Sequence, residues 1–198
     1  GKAYFASYEC KKCHRVGGEG ATLGPDLSGV GFRKDAKFLD LWLKDPKAWK
    51  RSVAMPNFYF PVRVRADLVA YLSSLQGWGP GSRRPWHGVQ GVESGALLYR
   101  HAGCVTCHGK DGAGGYPNNN VVGGVIPALT SAADGFSRAE LIRKISEGVR
   151  NPIKADPEGP DPLLYMPKWS ETLSESEIGA VADYLLALKS APDEGSDW

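Results

Sequence analysis

The sequence predicts an all-α protein built from two tandem small helical domains. Three observations carry that prediction. Apolar residues recur at three- and four-residue steps in several stretches, two of them opened by a capping-box pattern. Nothing alternates at period two for long enough to demand a sheet. The same short elements also occur twice, in the same order.

In chain order, Asp35–Lys44 reads as a short helix with Phe38, Leu39, Leu41 and Trp42, and Pro46 is expected to end it. Leu68, Val69, Leu72 and Leu75 mark a second helix. Ser137-x-x-Glu140 opens a third, with Leu141, Ile142, Ile145 and Val149 on one face and Pro152 expected to end it. Ser174-x-x-Glu177 opens a fourth, carrying Ile178, Val181, Ala182, Leu185 and Leu188.

The repeat extends well beyond these helices. Tyr4 and Phe5 match Leu98 and Tyr99, with Gly1 matching Gly95, at an offset of 94. Gly24-Pro25-Asp26-Leu27 faces Ile126-Pro127-Ala128-Leu129, and Asp45-Pro46 faces Asn151-Pro152. Met55-Pro56 faces Met166-Pro167, and Leu68–Leu72 faces Val181–Leu185 at an offset of 113. The offset only grows, so insertions fall in the second copy, chiefly around Gly112–Gly124 and Ala155–Asp161. Residues 1–78 form the first domain and 93–190 the second. A Gly/Pro-rich linker occupies 79–92 and an acidic tail 191–198. Trp78 and Trp86 should pack the joining segment onto the domains. Phe5 with Tyr71, and Tyr99 with Tyr184, are read as contacts between terminal helices.

Composition narrows the function. With 198 residues, 42% hydrophobic side chains, 25 Gly and 14 Pro, the chain is loop-rich but folded. The longest uncharged apolar-leaning run, Val121–Leu129, has nine residues, about half of a membrane span. A net charge of +2 argues against a dedicated nucleic-acid binder. That figure conceals two opposed halves. Residues 1–78 hold 13 basic and 7 acidic side chains, whereas 93–198 hold 9 and 15.

All four cysteines lie in two copies of one pentapeptide, Cys10-Lys11-Lys12-Cys13-His14 and Cys104-Val105-Thr106-Cys107-His108. C-x-x-C-H is a c-type haem attachment pattern. The two thiols form thioethers with one haem, and the adjacent imidazole meets the iron. Zinc is a poorer explanation, because about 90 residues separate the pairs and each is followed by His. Disulfides would leave the two histidines unexplained. Two covalent haem c groups, each with its iron, are therefore expected.

These residues resemble the class I cytochrome c family, in particular its two-domain, di-haem periplasmic members. The likeness covers all but Gly77–Val92 and the tail after Ser190. It rests on a helix entering C-x-x-C-H, a Pro-x-Leu segment, a Met-Pro loop and a C-terminal helix with an aromatic residue. The resemblance implies His14 and Met55 as axial ligands of one iron, and His108 and Met166 of the other. It further implies that the carbonyls of Pro25 and Pro127 accept the N–H of the two proximal imidazoles. The chain's only two methionines stand at matched positions, each before proline, which supports the ligand reading independently. His101, just ahead of Cys104, and His87, in the linker, are not expected at iron.

Iron filled on both axial sides has no place for substrate, and methionine ligation raises its potential. The expected function is a one-electron carrier between a donor and an acceptor redox protein in a respiratory chain, not an enzyme. Thiol-bound haem points to the periplasm or the outer face of the cytoplasmic membrane. The opposed charges of the two halves would orient the carrier toward its partners. An electron-transfer subunit or domain of a larger membrane-associated respiratory complex stays open, since an anchor could precede Gly1. A di-haem enzyme of the peroxidase or thiosulfate dehydrogenase type is a further alternative.

Overall fold

The computed structural model describes residues 1–78 and 84–188. Linker residues 79–83 and the tail assigned to 191–198 lie outside the described residues. The first repeat contains α1 (Lys2–Ser7), the two-residue antiparallel strands β1 (Arg15–Val16) and β2 (Glu19–Gly20), and the single turn α2 (Val30–Arg33). It continues through α3 (Ala36–Lys44), the turn α4 (Pro46–Trp49) and α5 (Val62–Ser73). The second repeat contains α6 (Gly91–Leu98), a π-type turn at Tyr99–Gly103, α7 (Val105–His108), α8 (Ala132–Gly135), α9 (Arg138–Glu147) and α10 (Glu175–Ala187).

In each repeat the first helix crosses the last. A side chain at Gly1 would collide with the Asp67 carbonyl and with Cβ of Tyr71, so glycine lets α1 approach α5. At the matched crossing, Gly95 of α6 abuts the Ala180 carbonyl and Cβ of Tyr184 on α10. Beside these crossings Phe5 meets Tyr71 edge-on with ring centroids 5.3 Å apart, and Tyr99 meets Tyr184, also at 5.3 Å. The expected aromatic contacts between terminal helices are therefore present in both copies. Each crossing is extended by apolar packing, with Phe5, Leu39, Leu68 and Leu72 in one core and Leu98, Leu141, Ile178 and Val181 in the other. Such side chains contribute about 1.5–3 kcal/mol each when fully buried.

Helix ends follow local chemistry. Asp35 caps α3 by accepting from the Phe38 amide at 2.7 Å, and Ser137 and Ser174 form complete capping boxes with Glu140 and Glu177. The expected proline stops need correction. Helix α3 ends at Lys44, and Pro46 begins α4, where its fixed φ and missing N–H suit a first turn. Helix α9 ends at Glu147 because Gly148 follows with φ +66°, four residues before Pro152. Helix α6 begins at Gly91, two residues inside the segment read as linker.

The described part of that segment, residues 84–92, is packed against the second repeat through Trp86. Trp86 is 5% exposed in the second core, lies edge-on to Trp78 at 4.7 Å, and donates its indole N–H to Glu177 at 2.6 Å. The two insertions of the second copy brace each other. Asn118 exchanges hydrogen bonds with the backbone of Leu164, Asn119 bonds Asp161 and Leu163, and Asn120 bonds Asp156 and Pro160.

Polar and aromatic contacts also cross between the repeats. Arg33 donates to the Asp26 carbonyl and to the Ala102 carbonyl, both at 2.8 Å. His101 faces the Asp26 carboxylate at 3.3 Å, and Phe32 meets Trp169 with centroids 5.4 Å apart.

Candidate haem attachment sites

In the first repeat, Glu9 takes a left-handed conformation (φ +54°) and turns the chain out of α1 into a 3-10 turn, Cys10–Lys12. The His14 amide closes this turn on the Cys10 carbonyl at 2.9 Å. Cys10 and Cys13 are free thiols, one partly buried and one exposed. The imidazole folds back so that Nδ1 lies 2.9 Å from the Pro25 carbonyl. A carbonyl only accepts, so Nδ1 carries the proton and Nε2 keeps its lone pair. A Cβ on Gly24 would stand 2.5 Å from Cε1 of that ring, so the glycine gives the imidazole its place.

The second repeat rebuilds this arrangement from different local structure. The π-type turn delivers Cys104, and α7 carries Cys107 and His108. The His108 amide bonds the Cys104 carbonyl at 2.9 Å, and His108 Nδ1 donates to the Pro127 carbonyl at 3.1 Å. Nineteen residues separate His108 from Pro127, against eleven between His14 and Pro25. The Gly112–Gly124 insertion takes up the extra length, with Gly114 bonded to the His108 carbonyl and Gly115 to Ile126.

Burial disfavours the charged form of both imidazoles, and the neutral form is the one that ligates iron. Burial pushes His14 below the ordinary histidine value, partly opposed by the Pro25 carbonyl and the charge of Asp26. Burial also lowers His108, where the Pro127 carbonyl opposes it and the charge of Lys34 adds to it. The partly buried Cys104 thiol is pushed up to about 12 by burial, against the pull of Arg33.

Met55 lies in the loop after α4 and receives the Trp42 indole N–H on its sulfur at 3.3 Å. Met166 is held by two backbone bonds to Val149, at 2.8 and 3.1 Å. Met55 and Cys10 pack against the first core, and Met166 and Cys104 against the second. His87 is exposed, and His101 is buried against Asp26. Three participants escaped the sequence reading. Trp42 reads as one apolar position of α3, and Arg33 and Lys34 as ordinary surface cations; no spacing signals that they reach the other repeat.

The donor set fits haem c. Each site offers two unbridged thiols and an imidazole with Nδ1 engaged and Nε2 bare, and each core holds a thioether sulfur. Among the described residues, no three His, Cys, Asp or Glu side chains gather to hold a metal ion by themselves. The fold and sites thus define a helical protein equipped for covalent haem. The cytochrome c family model matches residues 1–76 and 92–189, and the chain belongs to that family. No match was found among curated proteins or solved structures. Family membership brings covalently bound haem c with its iron, and haem-based electron transfer.

Proposed function

We propose that this chain is a di-haem electron carrier, holding one haem through Cys10, Cys13, His14 and Met55 and a second through Cys104, Cys107, His108 and Met166. The observation that carries the reading is the twofold recurrence of an imidazole fixed by a proline carbonyl beside a free cysteine pair. When bound, each haem supplies a one-electron ferric/ferrous couple. The protein orients the imidazoles, fixes their tautomer and raises their basicity through Pro25 and Pro127. Trp42 braces the Met55 sulfur, and the Val149 pairing braces Met166. An imidazole and a methionine sulfur supplied by each repeat would leave a bound haem iron no place for substrate, which favours a carrier over an enzyme.

Cytochrome c domains are usually extracellular or periplasmic, and among the described residues no helix is long and apolar enough to cross a membrane. We place the protein in the periplasm or at the outer face of the cytoplasmic membrane, exchanging electrons with a donor and an acceptor protein. Haem stoichiometry and an oxidised-minus-reduced optical spectrum test the reading. Two low-spin haems per chain with methionine–iron bands are expected. A high-spin haem that binds cyanide or peroxide readily would move the assignment to a di-haem oxidoreductase.

A further inference from the structure

We propose that Lys34 and Arg33, carried by the first repeat, set the reduction potential of the haem on the second repeat and hold it above that of the first. The proposal rests on the two-haem carrier reading and extends it to residues outside either attachment motif.

The two cations reach across the boundary to one attachment loop. Lys34 places Nζ 3.0 Å from Cys107 Sγ and lies over the Phe38 ring at 4.8 Å from its centroid. Arg33 spans the Asp26 and Ala102 carbonyls, the latter two residues before Cys104. Both side chains are buried, with Arg33 at 5% and Lys34 at 9% exposure. Among the described residues, neither has a carboxylate partner within ion-pair distance, and Arg33 Nε has no hydrogen-bond partner. Gly103, at φ +96°, makes the room: a Cβ there would lie 2.5 Å from the guanidinium carbon.

The first attachment loop has different surroundings. Of its cations, Lys11 and Lys12 are exposed and bound to Glu19 and Glu9, each at 2.7 Å, while Arg15, half-buried after His14, donates to the Gly18 carbonyl at 2.9 Å. The buried Asp26 carboxylate lies between the repeats: its field reaches His14 and also Arg33, which leaves Lys34 as the less compensated of the two cations.

Ferric haem carries one more positive charge than ferrous haem. Unpaired cations in a low-dielectric setting therefore disfavour the oxidised form, and an exposed, ion-paired cation does so far less. A thioether sulfur still accepts weakly, so the Lys34 contact is compatible with haem attachment at Cys107. The second site should hold an electron more tightly than the first.

Potentiometric titration of the holoprotein tests this, with the two steps assigned by Met55→His and Met166→His. Lys34→Gln should weaken reduction of the second haem about tenfold, 59 mV for a one-electron couple, and move the first much less. Lys34→Arg should stay near wild type. Lys37→Gln, at an exposed lysine of α3, reports the effect of net charge alone and should shift neither haem appreciably. If Lys34→Gln yields little holoprotein, Lys34→Met keeps the aliphatic stem and is read in the same way. A second haem below the first in the wild type, no shift in Lys34→Gln, or an equal shift in Lys37→Gln overturns the proposal. Failure of the carrier reading looks different: fewer than two haems per chain, or a high-spin centre, before any titration begins.

Discussion

At Gly24 the backbone is the wall against which the proximal imidazole rests. Alanine there would put a methyl group 2.5 Å from Cε1 of His14, and neither the ring, tied to Pro25, nor the backbone yields readily. Gly24→Ala is expected to lose about 1–3 kcal/mol in urea denaturation of the holoprotein, the usual cost of overpacking. The matched position of the second repeat is Ile126, so glycine is not used there. In that repeat Gly114, at φ +66°, lies against Pro127 and Ala128, where a side chain would collide with backbone. Motif alignment pairs Pro25 with Pro127 but could not show that different glycines make room beside them.

At the scale of elements, Glu177 has three duties at the start of α10. It completes the capping box with Ser174, accepts the buried Trp86 indole N–H at 2.6 Å, and pairs with Arg84 at 3.3 Å. Burial would raise its pKa, but the Ser174, Trp86 and Arg84 contacts outweigh it and favour the ionised carboxylate. Glu177→Ala removes the cap and orphans a buried N–H. It should lose about 2–3 kcal/mol and expose Trp86, read as a red-shifted tryptophan emission. The capping boxes of α9 and α10 were legible because Ser-x-x-Glu is a local signal. The stops of α3 and α9 were not, because proline marks where a helix cannot continue and Gly148 marks where it leaves. The Asn118–Asn120 bracing was also hidden, since it joins backbone more than 30 residues away.

For the whole molecule, the contact between repeats depends on Asp26. Burial alone would raise its pKa; hydrogen bonds from His101 and Ser28 prevail and lower it. The ionised form therefore stabilises the fold at every pH above the ordinary aspartate value of about 3.9. That contribution is lost as pH falls below it, through the depressed folded value. Asp26→Asn should cost about 1–3 kcal/mol near neutrality and flatten the acid limb of a urea-midpoint-against-pH profile. An unchanged acid limb in the variant would show that other carboxylates govern it. The opposed charge of the two halves makes a separate prediction for encounters. Electron-transfer rates with physiological partners should fall steeply as salt rises; rates indifferent to ionic strength would remove charge steering from the account.

The sequence by itself determined the fold class, the doubling and the attachment chemistry. Helical periodicity, two C-x-x-C-H motifs and matched Met-Pro loops are local patterns whose meaning does not depend on distant chain. Tertiary structure alone decided how the copies differ. Arg33, Lys34 and Asp26 meet His101, Ala102 and Cys107 across about 70 residues of chain, and only the folded arrangement leaves Arg33 and Lys34 buried with no carboxylate at ion-pair distance among the described residues. Burial turns an ordinary surface charge into a local field, and no stretch of sequence records burial across a boundary between repeats.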